Sequence, residues 1–439
     1  MCRFVFAARK VPSGMSEARR AHMLCGLGTT LVFAQLLALG ANTNFLASLA
    51  AFGSLICGLV ALSLQPAPEI QLMFKRAWLP LSFFAGAMAL TAVRYALAGS
   101  FPVASADLFG VEVSKLMGLA GAAALGAAIG RRSERLRCFS SYLLGGGALY
   151  LLLALWLWRE HPDSVWGQEK GRHVHRFTAT LMNANAASCV SDVVTLVGVA
   201  HVGVRLSGAR RTLEDWAIAA LAGFAVLLGV FTCLLTASRA GGLALVLALA
   251  ALLLANSRLR RAGAGLWLAA ALGVAALMCA VLLGFDTTFH RPFSELDTGV
   301  RATGYRTYVP LILQNPWWGN GLGGFRFVHL QSLTLPGAYE VWDLGAAHQP
   351  VLQAALEGGV PFAVLLAGVV LTSGIASFSY LLRRPADPRI IALALGGLII
   401  LGVSQIDIAL NVPAIACLFT IIWSMIWAWT DAQRHRLKS

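Results

Sequence analysis

Apolar runs of near 20 residues recur along this chain from end to end, and that recurrence leaves few folds open. A helix of that length crosses the hydrocarbon core of a bilayer. Twelve such runs can be placed, at about 23–40, 44–64, 77–98, 108–129, 138–158, 180–204, 215–235, 240–256, 264–284, 350–380, 390–406 and 412–430. With 58% hydrophobic and 12% charged residues over 439 positions, a soluble domain could not hide so much apolar surface. The expectation is an all-α polytopic membrane protein of about 12 transmembrane helices, a single integral membrane domain over residues 1–439. Between the ninth and tenth runs a polar stretch from about 285 to 347 predicts a large loop containing short helices.

Charge gives the chain an orientation. With the N-terminus inside, the inner segments carry Arg3, Arg9, Lys10, Arg19 and Arg20, then Lys75 and Arg76, then Arg131, Arg132, Arg135 and Arg137. Arg205, Arg210 and Arg211 follow, then Arg258, Arg260 and Arg261, then Arg383, Arg384 and Arg389, and finally Arg434, Arg436 and Lys438. Every inner loop is basic, as the positive-inside rule expects. The net charge of +14 therefore signals topology and not a nucleic-acid partner, and both termini are expected in the cytoplasm. Arg94, Lys115, Arg159, Lys170, Arg172, Arg176, Arg239, Arg291, Arg301, Arg306 and Arg326 fall on the outer half, where topology disfavours them. Loop salt bridges account for some; the others suit an anion held at the outer face, since a cation there needs a partner or a wet cavity. None of the eight cysteines lies in an outer loop, so no disulfide framework is expected.

Four pieces carry chemistry. The turn from Thr236 to Gly242 places Ser238, Arg239 and paired glycines at the start of a helix, where free N–H groups and the dipole favour an anion. Arg239 adds a fork suited to phosphate; the plain alternative is an arginine snorkelling to headgroups. Arg176 leads to Asn183 and Asn185, amides that are costly in an apolar helix unless bonded. They serve either as glue between helices or as contacts to sugar hydroxyls. Residues 302–314 read as an interfacial helix with Tyr305, Tyr308, Val309 and Ile312 on one face, Arg301 at its start, Arg306 within it, and Asn315-Pro316 stopping it. Trp317 and Trp318 read as interface anchors.

His348 is the sharpest candidate. Gln349 and Pro350 follow it, and proline favours a helix's first turn. His348 thus stands at the mouth of a membrane helix, able as a neutral imidazole to accept a proton from a hydroxyl; the alternative is a capping histidine. His173 and His175 lack partners at metal-binding spacing. No Asp-x-Asp pair is present to hold a divalent ion, which points to a phosphate leaving group neutralised by arginines, with no metal and no cofactor.

These pieces, in this order, resemble the bacterial O-antigen ligases, within the superfamily of ligases, O-antigen polymerases and protein O-oligosaccharyltransferases. The resemblance rests on Arg301 with Tyr305, on Pro316, Gly319 and Gly321, on His348-Gln349 with Gln353 and Gly358, on the Ser238–Gly241 turn and on Asn183 and Asn185. Departures are Gln349 where relatives carry asparagine, Ala184 where they carry proline, and Tyr305 where tryptophan is common. It implies a multi-pass protein of the bacterial inner membrane with a periplasmic active site. The activity implied is inverting, metal-independent transfer of a glycan from undecaprenyl pyrophosphate to a lipid A-core sugar hydroxyl. His348, Arg239 and Arg301 are then the expected catalytic residues, with Arg176, Asn183, Asn185, Ser238, Tyr305, Arg306 and Gln349 binding substrate. Partners would be the lipid-linked glycan, the lipid A-core acceptor and membrane lipids. Within the superfamily the alternatives are a polymerase or a protein oligosaccharyltransferase. Outside it stands a twelve-span secondary transporter, for which Asp192 is the main intramembrane charge; no internal repeat supports it.

Overall fold

The computed structural model describes residues 15–97, 105–174, 176–207, 212–256, 297–333, 342 and 344–436. The expected run at 264–284, the basic residues 258–261 and much of the 285–347 loop lie outside the described residues. The regular structure of the described residues is helical apart from a hairpin of two two-residue strands, Ser164–Val165 with Gln168–Glu169.

The helices are α1 (Glu17–Leu37), α2 (Asn44–Ser63), α3 (Ala67–Arg76), α4 (Trp78–Ala96), α5 (Ala106–Gly130), α6 (Ser133–Glu160) and α7 (Ala184–Leu206). They continue with α8 (Leu213–Leu235), α9 (Arg239–Ala255), α10 (Asp297–Gln314), α11 (Phe325–Ser332), α12 (Pro350–Leu381), α13 (Pro388–Ser404) and α14 (Pro413–Arg436). Eight of them are long and apolar enough to cross a membrane: α2, α4, α5, α6, α7, α8, α12 and α14. α9 and α13 are apolar but shorter. The molecule is thus a polytopic membrane protein by helix length and composition.

Small residues decide what lies at the centre. α7 is rich in alanine, serine and glycine, and its apolar stretch is 94% buried, against 17% for α4 and 28% for α12. Small side chains let helix backbones approach closely in lipid. On α5 they line two seams: a Cβ on Gly121 would run into the Ser54 carbonyl of α2, and one on Gly130 into the Met425 carbonyl of α14. Polar glue supplements this packing, as where Ser191 of α7 meets Thr232 of α8 at 2.9 Å. Asp192 lies fully buried within α7, beside Cys233 and two turns below the polar helix end.

α12 is interrupted. Gly359 adopts φ +84°, which breaks the helix and releases the carbonyls of Leu356 and Glu357. The expected helix at 302–314 is present as the longer α10, and its expected common face is split: Tyr308 and Ile312 are buried, whereas Tyr305 and Val309 are exposed.

Candidate active site

Asp407 organises the polar end of the bundle. It sits in the connection between α13 and α14, 6% exposed. Asn183 is the N-cap of α7: its Oδ1 accepts from the Ala186 N–H at 2.7 Å, and its Nδ2 donates to Asp407 Oδ1 at 3.3 Å. Asn185 Nδ2 donates to Asp407 Oδ2 at 2.6 Å. The two amides thus grip one carboxylate. The segment before them is braced by the end of α1 and the turn after it: Thr180 Oγ1 donates to the Leu36 carbonyl at 2.5 Å, and Asn42 Nδ2 to the Leu181 carbonyl at 3.1 Å.

His348 stands across this carboxylate, its Nδ1 3.9 Å from Asp407 Oδ2 and its side chain 28% exposed. Its backbone is left-handed, φ +54°, a conformation a histidine holds only where its surroundings impose it. Those surroundings are bonds. Gln349, not His348, caps α12, accepting the Leu352 N–H through Oε1 while its Nε2 donates to Gln405 at 3.2 Å. The Ala347 N–H donates to Gln353 Oε1 at 3.0 Å, an oxygen shared with Asn411 Nδ2 at 2.8 Å. The ring is therefore aimed by both its neighbours in sequence, with Nδ1 turned to Asp407. Burial opposes ionisation of Asp407, but the His348 ring and the Asn185 amide more than offset it, so its carboxyl lies below the usual carboxylate range.

A second histidine lies within electrostatic reach of this pair. Burial above all, and then Arg176, push the His173 imidazole down to about 4, so the ring is neutral near pH 7. Its partner in the sequence pattern, His175, lies outside the described residues.

The arginines divide. Arg176 Nε donates to the Thr236 carbonyl at 3.0 Å and its Nη2 to the Ala237 carbonyl at 3.3 Å, tying its segment to the end of α8. Arg94 is buried and donates to the Trp318 carbonyl at 3.3 Å. Both spend hydrogen bonds on backbone oxygens that a helix end or loop would otherwise strand. Arg239 is exposed at the first residue of α9. Ser238 caps that helix, its hydroxyl accepting from the Gly241 N–H at 3.1 Å. Gly241 lies against Ser188, one turn along α7 from Asn185. The Arg239 turn and the Asp407 clasp therefore share one end of α7. Arg306 and Tyr305 are exposed on α10. The backbone of Arg301 belongs to the same helix, and its side chain lies outside the described residues.

The motif from Pro316 to Gly323 docks on the break in α12. The N–H groups of Asn320 and Gly321 donate to the freed carbonyls of Leu356 and Glu357 at 2.9 and 2.8 Å, and Val360 N–H returns a bond to the Pro316 carbonyl at 2.7 Å. Gly319 has φ +60°, and a Cβ there would collide with the Glu357 carbonyl. The Glu357 side chain finishes the joint, accepting from Gly323 N–H at 3.1 Å, Phe325 N–H at 3.2 Å and Gln353 Nε2 at 3.2 Å. Gln353 thus links the glycine loop to the segment that aims His348. Beside it a cavity of about 210 Å³ runs between α2, α5, α12 and α14, lined by Gln353, Glu357, Asn411 and the Glu112–Lys115 ion pair.

Asp407 escaped the reading of the sequence, although a lone carboxylate at the end of an apolar run was the available signal. Glu357 escaped because it follows a helix start that looked merely apolar.

Residues 224–367 match a family model described as O-antigen ligase (Wzy_C). The match runs from α8 into α12 and takes in Arg239, Arg301 and His348. It supports the resemblance to the O-antigen ligase superfamily and, with it, a glycosyltransferase-like enzyme of ligase or polymerase type acting on lipid-linked glycans. No curated protein matches the chain.

Proposed function

We propose, starting from the O-antigen ligase segment at residues 224–367, that the protein transfers a glycan from undecaprenyl pyrophosphate to a sugar hydroxyl of the lipid A core. The reaction takes place at the periplasmic face of the inner membrane. The observation that carries this reading is His348, held in a strained backbone at a helix mouth, solvent-facing, with Nδ1 3.9 Å from the clasped Asp407.

In the proposed step the acceptor oxygen attacks the anomeric carbon and inverts it. The bond from that carbon to the pyrophosphate oxygen breaks, and the hydroxyl proton passes to His348 Nε2. Asp407 orients the ring and stabilises the imidazolium that forms. Undecaprenyl pyrophosphate leaves as the anion, stabilised by Arg239 and Arg301. Arg176 acts on this site by fixing the turn that presents Arg239. Metal plays no part in the proposed step.

The test is transfer by the purified protein, given undecaprenyl-pyrophosphate glycan and rough lipopolysaccharide with chelator present. Glycosylated lipopolysaccharide that disappears in His348→Ala, with donor binding retained, is the expected outcome. Growth of the glycan on its own lipid would make the enzyme a polymerase. An active His348→Ala protein would remove the base assignment.

A further inference from the structure

The cavity of about 210 Å³ beside Gln353 opens at the end of the bundle where His348 stands. Gln35 reaches it from the last turn of α1, Ala47 and Ala50 from the first two turns of α2, and Glu112 from the second turn of α5. Pro350 and Pro413, which open α12 and α14, line it as well. Gln353 and Asn411 join it to the site. Both line the cavity, and Gln353 Oε1 accepts from Asn411 Nδ2 and from the Ala347 N–H next to His348. None of its lining residues belongs to α7, α8 or α9, the helices around the Arg239 turn.

Its wall presents oxygens that lack donors. Ser54 Oγ donates to the Ala50 carbonyl at 2.8 Å, so it accepts from Gln35 Nε2 at 3.0 Å, which fixes the orientation of that amide. Gln35 Oε1 is then left with no hydrogen bond among the described residues, although Gln35 is only 5% exposed. It is not sealed off, as the unpartnered carboxylate oxygens of Asp192 are, but open to the cavity. Asn411 is oriented by the same logic. Its Nδ2 faces an oxygen that already accepts from a backbone N–H, and its Oδ1 makes no hydrogen bond among the described residues. Glu112 pairs with Lys115 through one oxygen, and the ammonium keeps further N–H groups. Leu116, Leu322 and Phe362 supply apolar wall. A ligand with hydroxyls to donate, an oxygen for Lys115 and a C–H face for the leucines and phenylalanine meets every one of these groups, and a sugar ring has all three. Largely apolar pockets with a few placed polar groups are the usual form of such sites.

We infer that this cavity seats the acceptor sugar, its hydroxyls donating to Gln35, Asn411 and Glu112 while the reacting hydroxyl stays at the mouth for His348. The inference rests on the transferase reading, in which the donor pyrophosphate lies at the Arg239 turn. The cavity is built on helices which that turn does not use, and so it is the side left to the acceptor.

The experiment titrates the full-length protein in detergent, without donor, with rough lipopolysaccharide and with lipid A lacking core sugars. Gln35→Leu removes an accepting oxygen, and Ala50→Leu fills the cavity from its half-buried wall. Each should raise the Kd for rough lipopolysaccharide about tenfold and leave that for lipid A unchanged. Should Gln35→Leu fail to fold, Ala50→Leu, which removes no side-chain hydrogen bond, gives the same readout. Equal affinity of the wild type and the folded variants for rough lipopolysaccharide would overturn the site, as would a wild type that binds it no more tightly than lipid A. An equal loss of affinity for lipid A would put the lipid in the cavity and overturn the sugar assignment. Binding is read without transfer, so the two readings can fail separately. A wild type that binds the core sugar by way of Gln35 yet transfers no glycan would refute the transferase and leave the sugar site standing.

Discussion

Two carboxylates in this protein are equally buried and differently employed. Glu357 and Asp407 are each 6% exposed. Around Glu357 the donors are two backbone N–H groups and one amide, all belonging to the joint between the glycine loop and α12. Around Asp407 the donors include two side-chain amides and the Ile408 backbone, and a further neighbour is an imidazole that also faces solvent. The first arrangement closes a loop onto a broken helix. The second holds a group that must meet something from outside. Burial alone would have ranked the two together; what separates them is whether a neighbour is left open to a substrate.

Breaking the closed joint should give the largest effect on stability. Gly319→Ala adds a Cβ against the Glu357 carbonyl at a left-handed position, and a loss of about 3 kcal/mol is expected. Denaturant unfolding in detergent checks it, and an unchanged midpoint would mean that the loop does not dock as described. Asp407→Asn should come next, with kcat falling about 100-fold, near 2.7 kcal/mol, while KM for the donor changes little. Glu357→Gln should lower stability by about 1–2 kcal/mol, because its amide sets a donor against donors, and should leave kcat of the folded fraction near wild type. If Glu357→Gln instead loses kcat as Asp407→Asn does, the distinction between the two carboxylates fails.

That distinction was out of reach of the sequence, whereas the frame around it was not. Apolar length and composition announced the long helices that are described, though not the short α3, and Pro350 announced the start of α12 just after His348. These are local signals, with period, length and punctuation carried by neighbouring residues. The Asp407 clasp is not local: it joins residues more than 200 positions apart, from Asn183 and Asn185 to Asp407. Arg176 and Arg239 look alike in sequence, and only the arrival of the α8 carbonyls beside Arg176 reveals where its hydrogen bonds go. The glycines of the Pro316–Gly321 motif were legible as a motif, but their reason, close approach to a helix broken at Gly359, needs both partners in view.

The smallest expected effect is the most specific to Asp407. Its carboxyl lies below the usual carboxylate range, with burial opposing and His348 and Asn185 prevailing. A depressed folded-state pKa means that the group contributes stability above its unfolded value, near 3.9, and loses it as pH falls through the folded value. Between pH 7 and 5, then, the wild type should exceed Asp407→Asn in unfolding midpoint by a constant margin. Below about pH 4 the margin should narrow, because acid neutralises in the wild type the charge that the substitution removed. A margin independent of pH down to 3 would mean that the Asn183 and Asn185 amides, which can bond a neutral partner too, supply the whole stability of the clasp, leaving the carboxylate's charge to act on His348 alone.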